Sequence, residues 1–173
     1  MAAFASSYIP TGASTVTRSA DVASVDTLSP WFNATEGTLF AEVDTVAPTS
    51  SANKYVAELS DGTTNNRTIL YIGDDAFTKG FIAVSGAAQA SLINSTTISA
   101  NIAVKQSLAY EVNNIGLVTN GGTVDTDTSA SIPTVSILRI GAGVGAEPLN
   151  GHLRRIAYYP RRLTNAELQA LTA

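Results

Sequence analysis

Residues 151–173, GHLRRIAYYPRRLTNAELQALTA, hold four of the chain's ten basic residues: Arg154, Arg155, Arg161 and Arg162. The run opens as a strand, and Pro160, which has no N–H to give a sheet, ends it. Thr164, three positions before Glu167, sets up a capping box, and Leu163 and Leu168 stand where a hydrophobic staple closes the first helical turn. The stretch predicts a last strand, a turn carrying Arg161 and Arg162, and a short helix with Leu168 and Leu171 facing inward. Adjacent residues of a regular strand point to opposite faces, so Arg154 and Arg155 are expected apart rather than in one patch. Local work is expected of all four arginines, pairing with carboxylates or laying their stems across apolar surface.

Upstream, the chain is a succession of short β-rich runs. In TLFAEVD, residues 38–44, Leu39, Ala41 and Val43 alternate with Thr38, Phe40, Glu42 and Asp44, the period of a strand with one buried and one solvated face. YVAELSDGTTNNRTILYIGDD (55–75) reads as a long hairpin around a Gly/Asn/Thr loop. GFIAVSG (80–86), ASLINS (90–95) and SLAYEV (107–112) follow as strands, and IGLVTNGGTVDTD (115–127) turns at Asn120-Gly121, a pair suited to positive φ. SILRIGAG (136–143) and LNGHLRRIAYY (149–159) complete the set. Strands recur about every ten residues with no helical period before the last segment, so the expectation is all-β: an antiparallel two-sheet jelly-roll sandwich with a short C-terminal helix. No internal repeat favours a propeller or β-helix.

Composition narrows the function classes. A chain of 173 residues suits a single domain that buries roughly 70% of its unfolded surface. It has no cysteine, which rules out disulfides and thiol nucleophiles. A net charge of −4 with 14% charged residues offers no electrostatic footprint for nucleic acid. Polarity comes instead from Ser, Thr and Asn, as in VAPTSSAN (46–53) and TDTSAS (126–131). The opening MAAFASSYIPTG lacks the basic start and apolar core of a signal peptide, and no apolar run reaches the ~20 residues of a membrane span, so membrane insertion is not expected.

The closing stretch also carries a resemblance. Gly151, Leu153, Ile156, Tyr158, Tyr159, Arg161, Leu163, Thr164, Ala166, Glu167 and Leu168 fill without a gap the frame in which laminin-G-like domains of the concanavalin A-like lectin/glucanase superfamily end. LRIGAG (138–143) with PLNG (148–151), and LAYEVNNIGLVTNGG (108–122), resemble the same family's inner strands and Asn-Gly turn. The first half, SSYIPTGASTVTRSADVASV (6–25) leading to WFNATEGTLFAEVD (31–44), is similar to the opening of such domains in tail and fibre proteins of bacteriophages and prophages. Two departures stand out: Arg154 and Arg155 replace the family's acidic pair, and the Trp often found at the start of the strand matching SLAYEV is missing. The resemblance implies one concanavalin A-like domain over residues 1–173, with 1–30 leading into the sandwich. It further implies a virion location on a phage tail or fibre, assembled in the host cytoplasm, and recognition of a cell-surface glycan or host receptor. The alternative is a structural cap or decoration domain that contacts other virion proteins and has no ligand of its own. Fibre modules also suggest a homo-oligomer, most simply a trimer.

Because the superfamily includes glucanases, the carboxylates need testing. Retaining hydrolysis uses two carboxyl groups about 5–5.5 Å apart. Glu42 and Asp44 share a strand face and open an ExDxxE pattern, but its last position is Ala47. They are therefore read as the solvated side of a half-buried strand, with Glu58 as a carboxylate that could join them on the same sheet. His152, the lone histidine, lacks a G-x-S-x-G elbow to serve, and GAGVG (141–145) lacks the ending of a phosphate loop. No enzyme is expected.

Sugar binding calls for aromatic faces plus carboxylates and amides that orient hydroxyls. The candidates are Asp61, Asn65, Asn66 and Arg67 in the first hairpin, Asp74 and Asp75 beyond it, and Trp31 as a stacking platform, though Trp31 beside Phe32 reads more readily as core. No cofactor is required. Calcium, which accompanies many members of the superfamily, would need Asp61, Asp74 and Asp75 to converge, or Asp125 and Asp127 to act from one strand face.

Overall fold

The computed structural model describes residues 23–45, 48–49, 52–145 and 147–173, so the leading segment expected over 1–30 lies outside them through residue 22. The strands are β1 (Ala23–Val25), β2 (Glu36–Thr45), β3 (Lys54–Ser60), β4 (Arg67–Ile72), β5 (Phe77–Val84), β6 (Ala87–Thr97), β7 (Val104–Glu111), β8 (Ile115–Thr119), β9 (Asp125–Asp127), β10 (Ile137–Ile140) and β11 (Gly151–Tyr159), followed by helix α1 (Asn165–Thr172). They form a six-stranded sheet, β1-β10-β3-β4-β5-β6, and a five-stranded sheet, β11-β2-β7-β8-β9. All pairings are antiparallel, as the sequence predicts.

Alternation along each strand fills the space between the sheets. Leu39, Ala41 and Val43 of β2 meet Leu59, Leu70, Ile72 and Ile82 of the opposite sheet, all within one buried cluster. Asn120 and Gly121 take the positive φ angles (47° and 68°) that their turn demands. The capping box forms: the Glu167 N–H donates to Thr164 Oγ1 at 3.3 Å and the Thr164 N–H to Glu167 Oε2 at 2.7 Å. Leu163 and Leu168 pack with Ala109 and Val118 into a second, smaller core, with Leu171 against it, so the helix covers part of the outer face of the five-stranded sheet.

Two expectations need correction. The polar side of β2 is not solvated: Phe40 is 1% and Asp44 3% exposed. The reason is β11, which lies beside β2 and shifts register between Leu153 and Arg155. The bulge adds a residue to one strand and re-aims the side chains around it. His152 and Arg154 therefore both reach Asp44, and the Arg155 guanidinium lies 5.3 Å from the centre of the Phe40 ring. Arg154 and Arg155 work on one face after all, since the strand is irregular where regularity would have separated them. In the turn, Arg161 pairs with Glu167 at 2.8 Å and Arg162 donates to Leu163 O and Asn165 Oδ1, the local roles expected.

Candidate functional site

The outward face of the six-stranded sheet carries a different kind of cluster. Register aligns Ser24, Arg139, Glu58, Ile69, Phe81 and Ser91 in one transverse row, with Tyr55, Tyr71, Lys79 and Ile93 in a parallel one. These residues alternate with the core positions Ala57, Leu59, Leu70 and Ile82, so their outward direction follows from the pleat.

Glu58 is fully buried at the centre of this face. Its Oε1 accepts the Val144 N–H at 3.0 Å, and the guanidinium groups of Arg67 and Arg139 each stand 3.9 Å from the carboxylate, near enough to attract but too far to hydrogen bond. Arg139 is steadied by Ser60 Oγ at 3.0 Å, and Arg67 lies over the Phe81 ring at 5.5 Å. Glu58 Oε2 and Arg67 Nε are buried without a hydrogen-bond partner among the described residues. Two cations thus share one anion, with one buried donor and one acceptor left unused.

The loop after β10 walls one side. Its Gly141 N–H donates to Val56 O at 2.9 Å, the Leu149 N–H to Gly141 O at 2.8 Å, and the Tyr55 N–H to Glu147 O at 3.1 Å. A Cβ on Gly143 would come within 2.2 Å of the Tyr55 ring, so only glycine lets the loop lie this close. GAGVG is therefore a fitted wall over Tyr55 and Glu58, not a slack connection. Burial, together with the Glu147 carboxylate beside it, pushes the Tyr55 hydroxyl well above the ordinary tyrosine range, and burial also raises Tyr71. Both stay neutral in physiological conditions, and their rings pack 5.6 Å apart at a tilt. At the rim, Lys79 pairs with Asp75 at 2.8 Å.

Of the residues singled out from sequence, Arg67 belongs to this cluster. Asp61 organises its own turn, accepting from the Thr63 hydroxyl at 2.6 Å, the Asn66 amide at 2.8 Å and the Thr63 N–H at 2.8 Å; these bonds hold its carboxyl below the usual range. Asn66 Oδ1 accepts the Ser85 N–H and Asn65 O the Gly86 N–H, which stitches two hairpins together. Asp74 and Asp75 lie beyond the far end of β4, with the whole six-residue strand between them and Asp61. The three aspartates do not converge. Asp125 accepts the Asn94 amide at 2.7 Å, Asp127 accepts from Ser129, and among the described residues no group of three metal-ligating side chains is assembled. Trp31 is half-buried, edge-on to Tyr158 at 5.1 Å and to Phe32 at 6.2 Å, and packs on the main core instead of forming a platform.

The glucanase carboxylates are likewise separated. Glu42 and Asp44 lie on β2 and Glu58 on β3, in different sheets, so the expectation that Glu58 might join them is overturned. Asp44 is closed off by His152 Nδ1 at 2.8 Å and by Arg154 Nε and Nη2 at 3.0 and 2.8 Å. Burial would raise the Asp44 carboxyl, but the His152 and Arg154 hydrogen bonds outweigh it and hold the group below its ordinary value. Arg139, Tyr55, Tyr71, Phe81 and Glu147 were not singled out from sequence. The signal lay in RTILY and FTKGF, where alternate positions carry Arg67, Tyr71 and Phe81 on the face opposite the core residues Leu70 and Ile82.

No protein-family model and no curated protein sequence matches the chain. Solved structures do. A CBM40 domain of the Ruminococcus gnavus IT-sialidase bound to α2,3-sialyllactose superimposes with a TM-score of 0.69 at 18% identity, covering 82% of this chain and 84% of that one. A leech intramolecular trans-sialidase matches with a TM-score of 0.66 at 17% identity over 81% of this chain and 23% of its own. A SAP-like pentraxin from Limulus polyphemus matches with a TM-score of 0.61 at 13% identity, covering 88% of this chain and 81% of that one. The chain therefore has the two-sheet, concanavalin-like lectin sandwich of these structures.

Proposed function

We propose that the chain is a non-catalytic carbohydrate-binding module, and that its ligand is a glycan bearing a carboxylate, held on the outward face of the six-stranded sheet. The observation that carries this reading is the open cluster of Glu58, Arg67 and Arg139. Buried polar atoms in native structures are nearly always hydrogen-bonded, so a buried Arg67 Nε and Glu58 Oε2 without partners call for an explanation. A sugar acid supplies one. Its carboxylate takes the outer guanidinium donors of Arg67 and Arg139, which Glu58 holds from beneath, and its apolar face lies along Phe81 and Tyr71. Glu58 acts as a positioning residue, holding both arginines and, through Val144, the wall loop. Sialyllactose bound to a similarly folded CBM40 domain supports the ligand class. The setting we propose is display on a phage tail or fibre with a host-surface glycan as target, supported by the resemblance of residues 6–44.

Calorimetry with sialyllactose and lactose tests this. The acidic sugar should bind and lactose should not, and Arg67→Ala or Arg139→Ala should each weaken binding about tenfold or more, the loss expected for a charge-assisted hydrogen bond. Equal binding of both sugars would remove the carboxylate from the proposal. Silence across a multivalent glycan array would overturn the binding role in favour of a structural one.

A further inference from the structure

Sheet edges expose unpaired backbone groups, and proteins blunt them with short strands, charges, prolines or bulges. Three of the four edges here are blunted. β1 and β9 have 3 residues each, and β11 carries a bulge, His152, Arg154 and Arg155, and ends at Pro160. The fourth is β6, which has 11 residues, AAQASLINSTT, without a charge or a proline; its register with β5 shifts at Gln89 and at Ser95–Thr96, on either side of a regular middle. From Ala90 to Asn94 it keeps unbroken register with β5, and among the described residues nothing hydrogen bonds to that stretch of main chain from its other side.

The outward side chains of this stretch are Ser91 and Ile93, both neutral. Ile93 is 49% exposed. An antiparallel pair of identical strands is related by a two-fold axis, so such an edge is its own complement. The axis at Ile93 sets the two isoleucines side by side. Net charge of −4 works against association through the chain's charged surfaces, whereas β6 brings no charge to the junction.

We propose that β6 pairs with β6 of a second copy of this chain, antiparallel about Ile93, joining the two six-stranded sheets into one continuous sheet. The two-fold stands perpendicular to the sheet, so both Arg67/Arg139 clusters face the same way and the row Tyr55, Tyr71, Lys79, Ile93 runs on into its counterpart. The dimer presents two glycan sites to one surface, which multiplies weak affinity by avidity. That consequence rests on the proposed glycan binding; the pairing rests on the edge alone.

Sedimentation of the chain over a concentration series up to about 1 mM reads the pairing. Wild type should pass from monomer to dimer, and Ile93→Lys and, separately, Ser91→Lys should remain monomeric with unchanged melting temperature. In binding assays both variants should keep the solution affinity for sialyllactose and lose at least about tenfold on a glycan-coated surface. A wild type that stays monomeric, a dimer that survives both lysines, or a trimer overturns the proposal. A lysine-sensitive dimer that binds no glycan upholds the pairing and overturns the proposed function instead.

Discussion

The two outward faces each carry a buried carboxylate with two basic partners, and the geometry of the pairs separates their roles. On the five-stranded sheet, Asp44 is met by His152 and Arg154 at 2.8–3.0 Å, so the groups satisfy one another. On the six-stranded sheet, Arg67 and Arg139 stop at 3.9 Å from Glu58, and polar atoms remain unpaired. A closed cluster spends its charges on holding β11 to β2. The other leaves polar atoms without partners, which is why the proposed ligand is placed there. Buried charge by itself does not mark a binding site, because a charge can be satisfied wholly within the fold.

The sharpest way to break this contrast is to remove each carboxylate. Glu58→Ala leaves two guanidinium groups facing each other in a largely buried setting and frees the wall loop. It should cost about 3 kcal/mol in denaturant unfolding and abolish sialyllactose binding together. Arg67→Met separates the two effects, because it removes a guanidinium of the proposed site while leaving Glu58 with Arg139 and Val144; binding should fall with little change in melting temperature. If Arg67→Met destabilises as much as Glu58→Ala, the open cluster is structural after all.

Asp44→Asn should cost about 2 kcal/mol, less than Glu58→Ala because His152 and Arg154 are half-exposed and regain water when released. Sialyllactose affinity should be unchanged. The pH dependence has a definite sign. The folded carboxyl of Asp44 is held below the ordinary aspartate value, so its contribution is present above that ordinary value and is lost as pH falls through the lowered folded one. The acid limb of the stability profile, measured by urea unfolding, should flatten in the asparagine variant. An unchanged limb would mean that the closed cluster contributes nothing.

The smallest expected effect is at the helix. Thr164→Ala removes the cap and should cost about 1 kcal/mol without touching either cluster. A change in sialyllactose affinity in that variant would show that the two outward faces are coupled, which the comparison denies.

Much of the fold was legible in the sequence because its signals are local. The period of two in TLFAEVD, Asn120-Gly121 and the Thr164–Glu167 capping box each depend on a few neighbouring residues, and each is where it was expected. Expectations about which faces are covered fared less well. The chain alone suggests a solvated Asp44 and separated Arg154 and Arg155, because it shows neither that β11 lies beside β2 nor that its register shifts between Leu153 and Arg155. Among the candidate site residues, Arg67 was visible as part of a polar hairpin, whereas Asp61, Asn65 and Asn66 proved to be turn-forming and Asp74 and Asp75 lie at the opposite end of β4.

Sequence by itself determined the elements, since propensity, periodicity and capping act over a few residues and do not depend on what packs beside them. Tertiary structure alone decided the site. Arg139 and Glu58, 81 positions apart, come opposite each other only because β10 pairs with β3, and Tyr55 is walled by Gly143 only because the loop after β10 folds back over the same face. Side-chain direction alternates at every residue of a strand, so a shift of one position reverses which face a residue serves. The partner strand and its register, set by the whole sandwich, decide whether a given arginine closes on a carboxylate, as Arg154 does, or stops short of one, as Arg67 and Arg139 do.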